Sequence, residues 1–270
     1  MQTISTRYGR MLCPINDEWV GQSLFRFGEF SQLEVDFLKQ LIPRGSVVMD
    51  IGANIGALTL PFSKFVGPKG RVYAFEPLRP NFLTLCGSLA FNEINNVEPF
   101  HAAVGNAEGE VPIAEVAFGQ AANYGGYCIR EYPEGIDVPL IMLDTWFPGH
   151  CPNPKALRLI KVDVEGMELD VVNGAEQVIR EFRPVLYLEA DRKDKVVALL
   201  TRVFELGYRI WWHAPPLFNP DNWAGEDDPG KFKDVVSFNV LCLPAEARAN
   251  IEGLVEVRSP DGPLPEGLGS

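Results

Sequence analysis

Short apolar runs that stop at an acid alternate along this chain with apolar stripes of helical spacing. Val47-Val48-Met49 ends at Asp50, and Val72-Tyr73-Ala74-Phe75 ends at Glu76. Runs of that kind, rich in β-branched and aromatic residues, read as buried strands. The same reading places strands near residues 47–51, 71–75, 97–103, 159–163, 184–189, 208–212 and 237–243. Between them lie helical stripes: Val35, Leu38, Leu41 and Ile42, then Phe82, Leu85, Cys86 and Leu89. Val171, Val172, Ala175, Val178, Ile179 and Phe182 form a third stripe, and Val196, Val197, Leu200, Val203 and Phe204 a fourth. Strands alternating with helices predict an α/β fold with a doubly wound, mostly parallel sheet.

Local signals set the boundaries. Ser31-Gln32-Leu33-Glu34 has the form of a capping box, with Ser31 and Glu34 each satisfying an orphan N–H, and Pro43 and Gly45 end that helix. Pro61 lies inside the stretch after Gly56, which predicts a kink or a later helix start. Residues 106–144 carry no single helical stripe. Runs at 111–116, 127–130 and 138–143, separated by Gly- and Asn-rich turns, predict a small β insertion between strands 3 and 4. The last two strands read as an antiparallel pair. The loop between them, residues 213–234, holds four prolines and the acids Glu226-Asp227-Asp228. Its Phe218 and Trp223 either fold inward as a lid, with Asn219 or Asn222 hydrogen-bonding whatever is bound beneath, or patch the core from outside. Three segments follow: 1–45, irregular or weakly strand-like up to residue 30 and then a capping helix; 46–245, the main domain; and 246–270, a C-terminal helix or flexible tail. Residues 258–270, dominated by Pro and Gly, read as disordered.

Composition narrows the function classes. The 270 residues are 46% hydrophobic and 22% charged, with a formal net charge of −12. That charge argues against nucleic acid and against an anionic membrane surface as partners. No run approaches the roughly 18 apolar residues of a membrane span. Without a signal-like N-terminus, a cytoplasmic protein is expected. Cys13, Cys86, Cys128, Cys151 and Cys242 are scattered with no C-x-x-C pair, so reduced thiols are expected.

The candidate chemistry centres on the turn Gly52-Ala53-Asn54-Ile55-Gly56, between Asp50 at the end of the first strand and the helix that follows. Ligands of open α/β sheets bind at those strand ends, where glycines let backbone approach and a helix N-terminus offers free N–H groups. A dinucleotide fingerprint needs a glycine where Asn54 stands, and a phosphate loop needs a Gly-Lys-Ser/Thr that is missing. Glu76, 20 residues beyond Gly56 and followed by Pro77, is placed to accept both hydroxyls of a ribose. A ribose without a pyrophosphate points to S-adenosylmethionine (SAM); a plain strand–helix turn is the alternative.

Residues 50–64, DIGANIGALTLPFSK, and residues 72–97, VYAFEPLRPNFLTLCGSLAFNEINNV, resemble the first signature of the FkbM-type SAM-dependent methyltransferases. Residues 159–179, LIKVDVEGMELDVVNGAEQVI, resemble the second. The resemblance implies the seven-stranded, Rossmann-like class I methyltransferase fold, with strand order 3-2-1-4-5-7-6. It also implies O-methylation of a hydroxyl on a small molecule, sugar, lipid or secondary metabolite. Donor contacts are then expected from Asp50, Gly52, Ala53, Asn54, Gly56, Glu76 and Pro77. Thr59 is placed either to reach the donor carboxylate or to bond back to its own helix. Glu29 precedes the first helix and is a candidate donor contact or an exposed acid. Ala102 and Ala103, at the end of the third strand, fall at the level of the adenine, with His101 turned away as a structural histidine. Asn123, in an Asn-x-Gly-Gly element resembling the family's, either walls the acceptor or forms a hairpin turn; His213, Asn222 and Trp223 are further acceptor-side candidates.

Asp163 and Glu165 share one side if strand conformation persists, and they are the candidate proton acceptors, with His213 on the sixth strand as a third. Asp163 also counts among the donor contacts, and Glu165 alternatively complements a helix dipole. Two carboxylates without an evident third ligand do not make a metal site, so none is expected. The rival readings are a non-catalytic SAM-binding or scaffold protein and a dinucleotide-dependent oxidoreductase. Neither the acceptor nor the oligomeric state is written in the sequence.

Overall fold

The structure is a computed structural model that describes residues 1–120, 123–127, 134–249 and 251–268. The chain opens with an antiparallel hairpin of β1 (Gln2–Thr6) and β2 (Gly9–Cys13), where only weak strand character was expected. Helix α1 (Val20–Phe27) follows and is a departure from the irregular segment predicted there. The buried Asp17 carboxylate accepts the N–H of Gly21 and so fixes the start of this helix. Val20, Leu24 and Phe27, spaced for one helical face, are buried.

Helix α2 (Gln32–Lys39) begins without the capping box. Ser31 is left-handed (φ 45°), and its hydroxyl donates to the Glu34 carboxylate at 2.6 Å instead of capping an N–H. The central unit is β3 (Val47–Ile51), α3 (Thr59–Val66) and β4 (Arg71–Phe75). Helix α3 takes the later start, so Pro61 falls in its first turn, where no intrahelical partner is lost.

Next come α4 (Arg79–Phe91) and β5 (Val97–Phe100). The predicted strand 97–103 is broken after Phe100. Ala103–Gly105 instead forms β6 and joins β7 (Gly109–Ile113) and β8 (Ile136–Met142) in a separate three-stranded sheet. This is the expected β insertion, in order β6-β8-β7. The run expected over 127–130 falls beyond Tyr127 outside the described residues.

Helix α5 (Leu143–His150), absent from the sequence reading, leads to β9 (Leu157–Val162). The helix expected over 171–182 is two, α6 (Glu168–Gly174) and α7 (Glu176–Phe182). The break has a packing cause. A Cβ on Gly174 would stand 1.9 Å from the carbonyl oxygen of Gly105, so β6 and α6 meet backbone to backbone. The chain closes with β10 (Val185–Glu189), α8 (Lys193–Glu205), β11 (Tyr208–His213), β12 (Asn239–Pro244) and β13 (Val255–Val257).

The main sheet runs β5-β4-β3-β9-β10-β12-β11-β13. Its first five strands are parallel, and β12 is antiparallel to both neighbours. That is the expected 3-2-1-4-5-7-6 order with one more edge strand, β13. Where a helix or flexible tail was expected, Val255–Val257 is a strand, and Leu264 and Leu268 pack on the core, so the described residues 258–268 are tied down. Alternate residues of β3 serve opposite faces: Met49 joins Phe75, Phe147 and Val171, while Val48 joins Ala74, Leu60 and Leu85. Each such side chain contributes about 1.5–3 kcal/mol by leaving water. Both faces are covered by helices, and the carboxyl ends of β3, β4, β9 and β10 are left as the open rim. No helix among the described residues is long and apolar enough to cross a membrane.

Candidate functional site

At that rim lies a cavity of about 330 Å³, at the small end of the roughly 300–1,000 Å³ usual for ligand sites. Gly52, Ala53 and Asn54 from the turn after β3, Glu76 and Pro77 after β4, and Asp163 and Glu165 after β9 all line it. The turn is tightly made. The N–H groups of Gly52 and Ala53 both donate to the Phe75 carbonyl at 2.9 Å. Gly52 has φ 81°, and a Cβ there would stand 1.7 Å from the Asp163 carbonyl oxygen. Only glycine fits both the dihedral and the gap.

Glu76 is 5% exposed and organises this end of the sheet. Its Oε2 accepts the N–H of Asn54 at 2.7 Å, and its Oε1 accepts the N–H of Leu78 at 2.8 Å. A carboxylate offers about four lone-pair positions, so two remain for a ligand. Burial pushes the Glu76 pKa up to about 7, against the Leu78 and Asn54 donors, Lys161 and the Asn81 side chain, which favour the ionised form.

Beneath the turn, Lys161 is 4% exposed. Its Nζ lies 3.1 Å from Asp163 Oδ2 and 3.6 Å from Asp50 Oδ1, and it donates to the Gly52 carbonyl at 3.3 Å. Burial disfavours the ammonium, but Asp163, Asp50 and Glu34 outweigh it and hold the pKa above its ordinary value. Glu34 reaches the cavity wall from α2 and is pushed up to about 7 by burial. Asp50 and Thr59 are both fully buried, and the Thr59 hydroxyl donates to Asp50 Oδ2 at 2.6 Å. These two therefore brace β3 against α3 under the cavity and do not line it.

After β9 the chain does not continue as a strand. Glu165 is left-handed (φ 55°), and the N–H groups of Val164 and Gly166 are held by Glu168 Oε1 at 3.2 and 2.9 Å. This turn still leaves Asp163 and Glu165 together, because the reversal replaces strand alternation. Arg192 donates to Glu165 Oε2 at 2.8 Å. Burial, then Asp163, push the Glu165 pKa up to about 7. Glu189, at the end of β10, joins them: one oxygen from each of Asp163, Glu165 and Glu189 lies within 4.8 Å of the others. The neighbouring strand supplies a third carboxylate, at the acid that ends it. Burial and then Asp163 and Glu165 hold the Glu189 pKa well above the carboxylate range.

Ala102 and Ala103 line the cavity, while His101 turns away, stacked on Phe82 and bonded through Nε2 to the Pro77 carbonyl oxygen at 3.0 Å. Asn123 also lines it, with Tyr124 and Gly125. That loop is fixed by Asp17, which accepts the Tyr124 N–H at 3.0 Å, and by Asn81, which donates to the Tyr124 carbonyl at 3.1 Å. Gly56 stands behind the wall, packed on Leu60 and Leu85. Glu29 is buried outside the cavity, where it accepts from Arg7 at 2.7 Å, from the Asn219 side chain at 2.8 Å and from the Trp223 N–H at 3.0 Å.

The lid expectation is corrected. Trp223 is 55% exposed and lies over Gly28, Phe218 packs on Phe27, and Asn222 bonds within its own loop. The Glu29 anchor holds this segment against the N-terminal hairpin. The base of the loop, Leu217 and residues 235–237, closes the cavity instead. His213 is also displaced from the acceptor side: its ring lies tilted against Phe37 and meets the Tyr187 hydroxyl at 2.7 Å, and burial lowers its pKa to about 4. Sequence reasoning missed Lys161, Glu34, Tyr124, Glu189 and Asp191 as wall residues. An acid ending the fifth strand was visible; the loop-borne and helix-borne ones had no periodic signal.

The cavity fits a nucleoside with a small extension: a buried carboxylate with two open acceptor positions, a glycine turn, and the small side chains of Ala102 and Ala103. The chain is similar to known methyltransferases. "Methyltransferase 1" of Beauveria bassiana is 24% identical over 220 residues, covering 71% of this chain and 88% of its own length. A precorrin-6y C5,15-methyltransferase from Geobacter metallireducens superposes with a TM-score of 0.50 at 15% identity, covering 79% of this chain and 86% of that one, which supports the fold alone. The structure of an FkbM methyltransferase from Methylobacillus flagellatus gives a TM-score of 0.49 at 18% identity over 84% of this chain; the match spans only 55% of that longer protein. The model of the methyltransferase FkbM domain matches residues 50–210, more than half of the chain. With its two signatures folded onto one cavity, the chain belongs to the FkbM family of SAM-dependent methyltransferases.

Proposed function

We propose that this methyltransferase transfers the methyl group to a hydroxyl oxygen of a neutral or cationic small acceptor, such as a sugar, lipid or secondary metabolite. The observation that carries the reading is the cavity's division. One end holds Glu76 and the glycine turn, suited to a nucleoside; the other holds carboxylates, suited to an acceptor that must lose a proton. When bound, SAM supplies an electrophilic methyl on a sulfonium. Glu76 would accept the two ribose hydroxyls, the backbone of residues 52–54 would approach the donor closely, and Ala102 and Ala103 would leave room for the adenine.

Transfer is an in-line displacement, and holding the acceptor oxygen near the methyl carbon is worth about 7–11 kcal/mol, against roughly 3–5 for a proton acceptor. Positioning therefore dominates. Glu165, titrating near neutral pH beside Asp163, is suited to take the hydroxyl proton. The surrounding acids would repel carboxylate- or phosphate-bearing acceptors. Asn123 and Tyr124 would form the acceptor wall.

The test is incubation with SAM carrying a 13C methyl and a panel of hydroxylated acceptors, with products read by NMR. A methyl resonance bonded to oxygen supports the proposal. Label on nitrogen, carbon or sulfur overturns O-methylation, and binding of SAM with no transfer to any acceptor supports a non-catalytic role.

A further inference from the structure

We infer that Asp163, Glu165 and Glu189 form a binding site for a divalent, oxygen-seeking cation on the acceptor side of the cavity. The topology builds this site. Strands β9 and β10 are parallel neighbours with Val162 beside Leu188, so Asp163, just after β9, and Glu189, the last residue of β10, emerge side by side. The left-handed Glu165 doubles back towards both, and Glu168 holds that turn by two backbone N–H groups.

One oxygen from each carboxylate lies within 4.8 Å of the other two. Oxygens around Ca²⁺, at about 2.3–2.6 Å from the ion, sit up to roughly 5 Å apart, and the tighter Mg²⁺ shell needs only small side-chain rotations. All three side chains are partly screened by the cavity walls.

A second observation points independently to a cation. Glu189 Oε2 is sealed from solvent and meets no hydrogen-bond donor among the described residues. Buried carboxylate oxygens are ordinarily paired, and a cation would satisfy this one. The basic groups at hand do not replace it. Lys161 engages Asp163 through Oδ2, and Arg192 engages Glu165 through Oε2, so each carboxylate keeps a second oxygen. Lys161 must also answer Asp50 and Glu34, and Asp191 adds another acid to the same wall.

All three acids line the cavity, so a bound cation would hold an acceptor oxygen there and acidify its hydroxyl, in place of proton uptake by the free Glu165. That use rests on the methyltransferase reading; the binding itself does not. The test is Mn²⁺ titration of the purified protein, read by the electron paramagnetic resonance signal of the free ion, with calorimetric binding of S-adenosylhomocysteine in the same samples. The expected result is one Mn²⁺ per chain, weakened at least about tenfold in Glu189→Gln and in Glu165→Gln, because each loses a ligand charge. Glu189→Gln should still bind S-adenosylhomocysteine, and the exposed Asp227→Asn should bind both ligands as the wild type does. If Glu189→Gln does not fold, Glu165→Gln carries the comparison. An undiminished signal with the wild type at about 1 mM, the weak end of oxygen-ligand sites, overturns the cation site. So does wild-type Mn²⁺ affinity in the folded variants. Binding of S-adenosylhomocysteine without Mn²⁺ removes the cation site and leaves the methyltransferase reading standing; Mn²⁺ without S-adenosylhomocysteine does the reverse.

Discussion

Glu76→Ala probes the donor end of the cavity. In the wild type, two of the carboxylate's roughly four acceptor positions are taken by the N–H groups of Asn54 and Leu78. The remaining two are assigned to the ribose hydroxyls, each a hydrogen bond to a charged group worth about 1.5–3 kcal/mol. Their joint loss, about 3–6 kcal/mol, corresponds to an affinity loss of roughly 10²- to 10⁴-fold. Glu76→Gln is the finer instrument. It keeps the shape but turns an amide NH₂ towards one of the donors it must accept from, so its loss should fall between wild type and alanine. The wild-type affinity should also depend on pH. Burial holds the carboxyl near a pKa of about 7, and the hydroxyls donate to its ionised form, so affinity should fall as pH drops from 8 to 6. Glu76→Gln should lack that component. The assay is calorimetric titration with S-adenosylhomocysteine at both pH values, with circular dichroism confirming the fold. An affinity within about threefold of wild type in a folded Glu76→Ala variant refutes the ribose assignment.

Gly52→Ala adds a Cβ at φ 81° against the Asp163 carbonyl. It should cost more than the roughly 1–2 kcal/mol of the left-handed conformation alone, with a lower Tm and weaker donor binding; an unchanged Tm contradicts the close packing. Trp223→Ala removes a half-exposed ring outside the cavity, so Tm, donor affinity and turnover should all stay within about twofold or a few degrees of wild type; a large fall in turnover alone would restore the lid. Stability without ligand should be higher at pH 6 than at pH 8. Glu34, Glu76 and Glu165 hold folded-state pKa values of about 7, above the ordinary 4.5, so the folded protein takes up protons in that window that the unfolded chain does not. His213, lowered to about 4, works the other way as pH falls below 6.5 but is one group against three. A lower Tm at pH 6 refutes the burial of these carboxyls.

The parallel sheet was legible because its strands are buried on both faces and announce themselves as apolar runs, Val47 to Met49 being the clearest. The donor end was legible for a related reason: Gly52 and Glu76 sit at fixed distances from strand ends, and their roles follow from backbone geometry. Helix α1 was not legible, since its start depends on Asp17 reaching Gly21 and its apolar face is short. The Ser31–Glu34 box has the right letters, but a left-handed Ser31 spends its hydroxyl on the carboxylate. Strand 97–103 was overextended because β6 leaves for another sheet, a choice made by β8, far off in sequence. The break at Gly174 and the loop anchored by Glu29 are likewise products of distant contacts. The acceptor wall, made from Asn123 to Gly125 and the base of residues 213–234, carries no periodicity, and sequence reasoning placed its lid on the wrong residues.

The most direct measurement of the central claim is a crystal structure of the complex with S-adenosylhomocysteine. The account predicts ribose hydroxyls on the Glu76 carboxylate, adenine against Ala102 and Ala103, and the sulfur directed towards Asp163 and Glu165. A ligand whose ribose makes no contact with Glu76, or that occupies another part of the molecule, would contradict it.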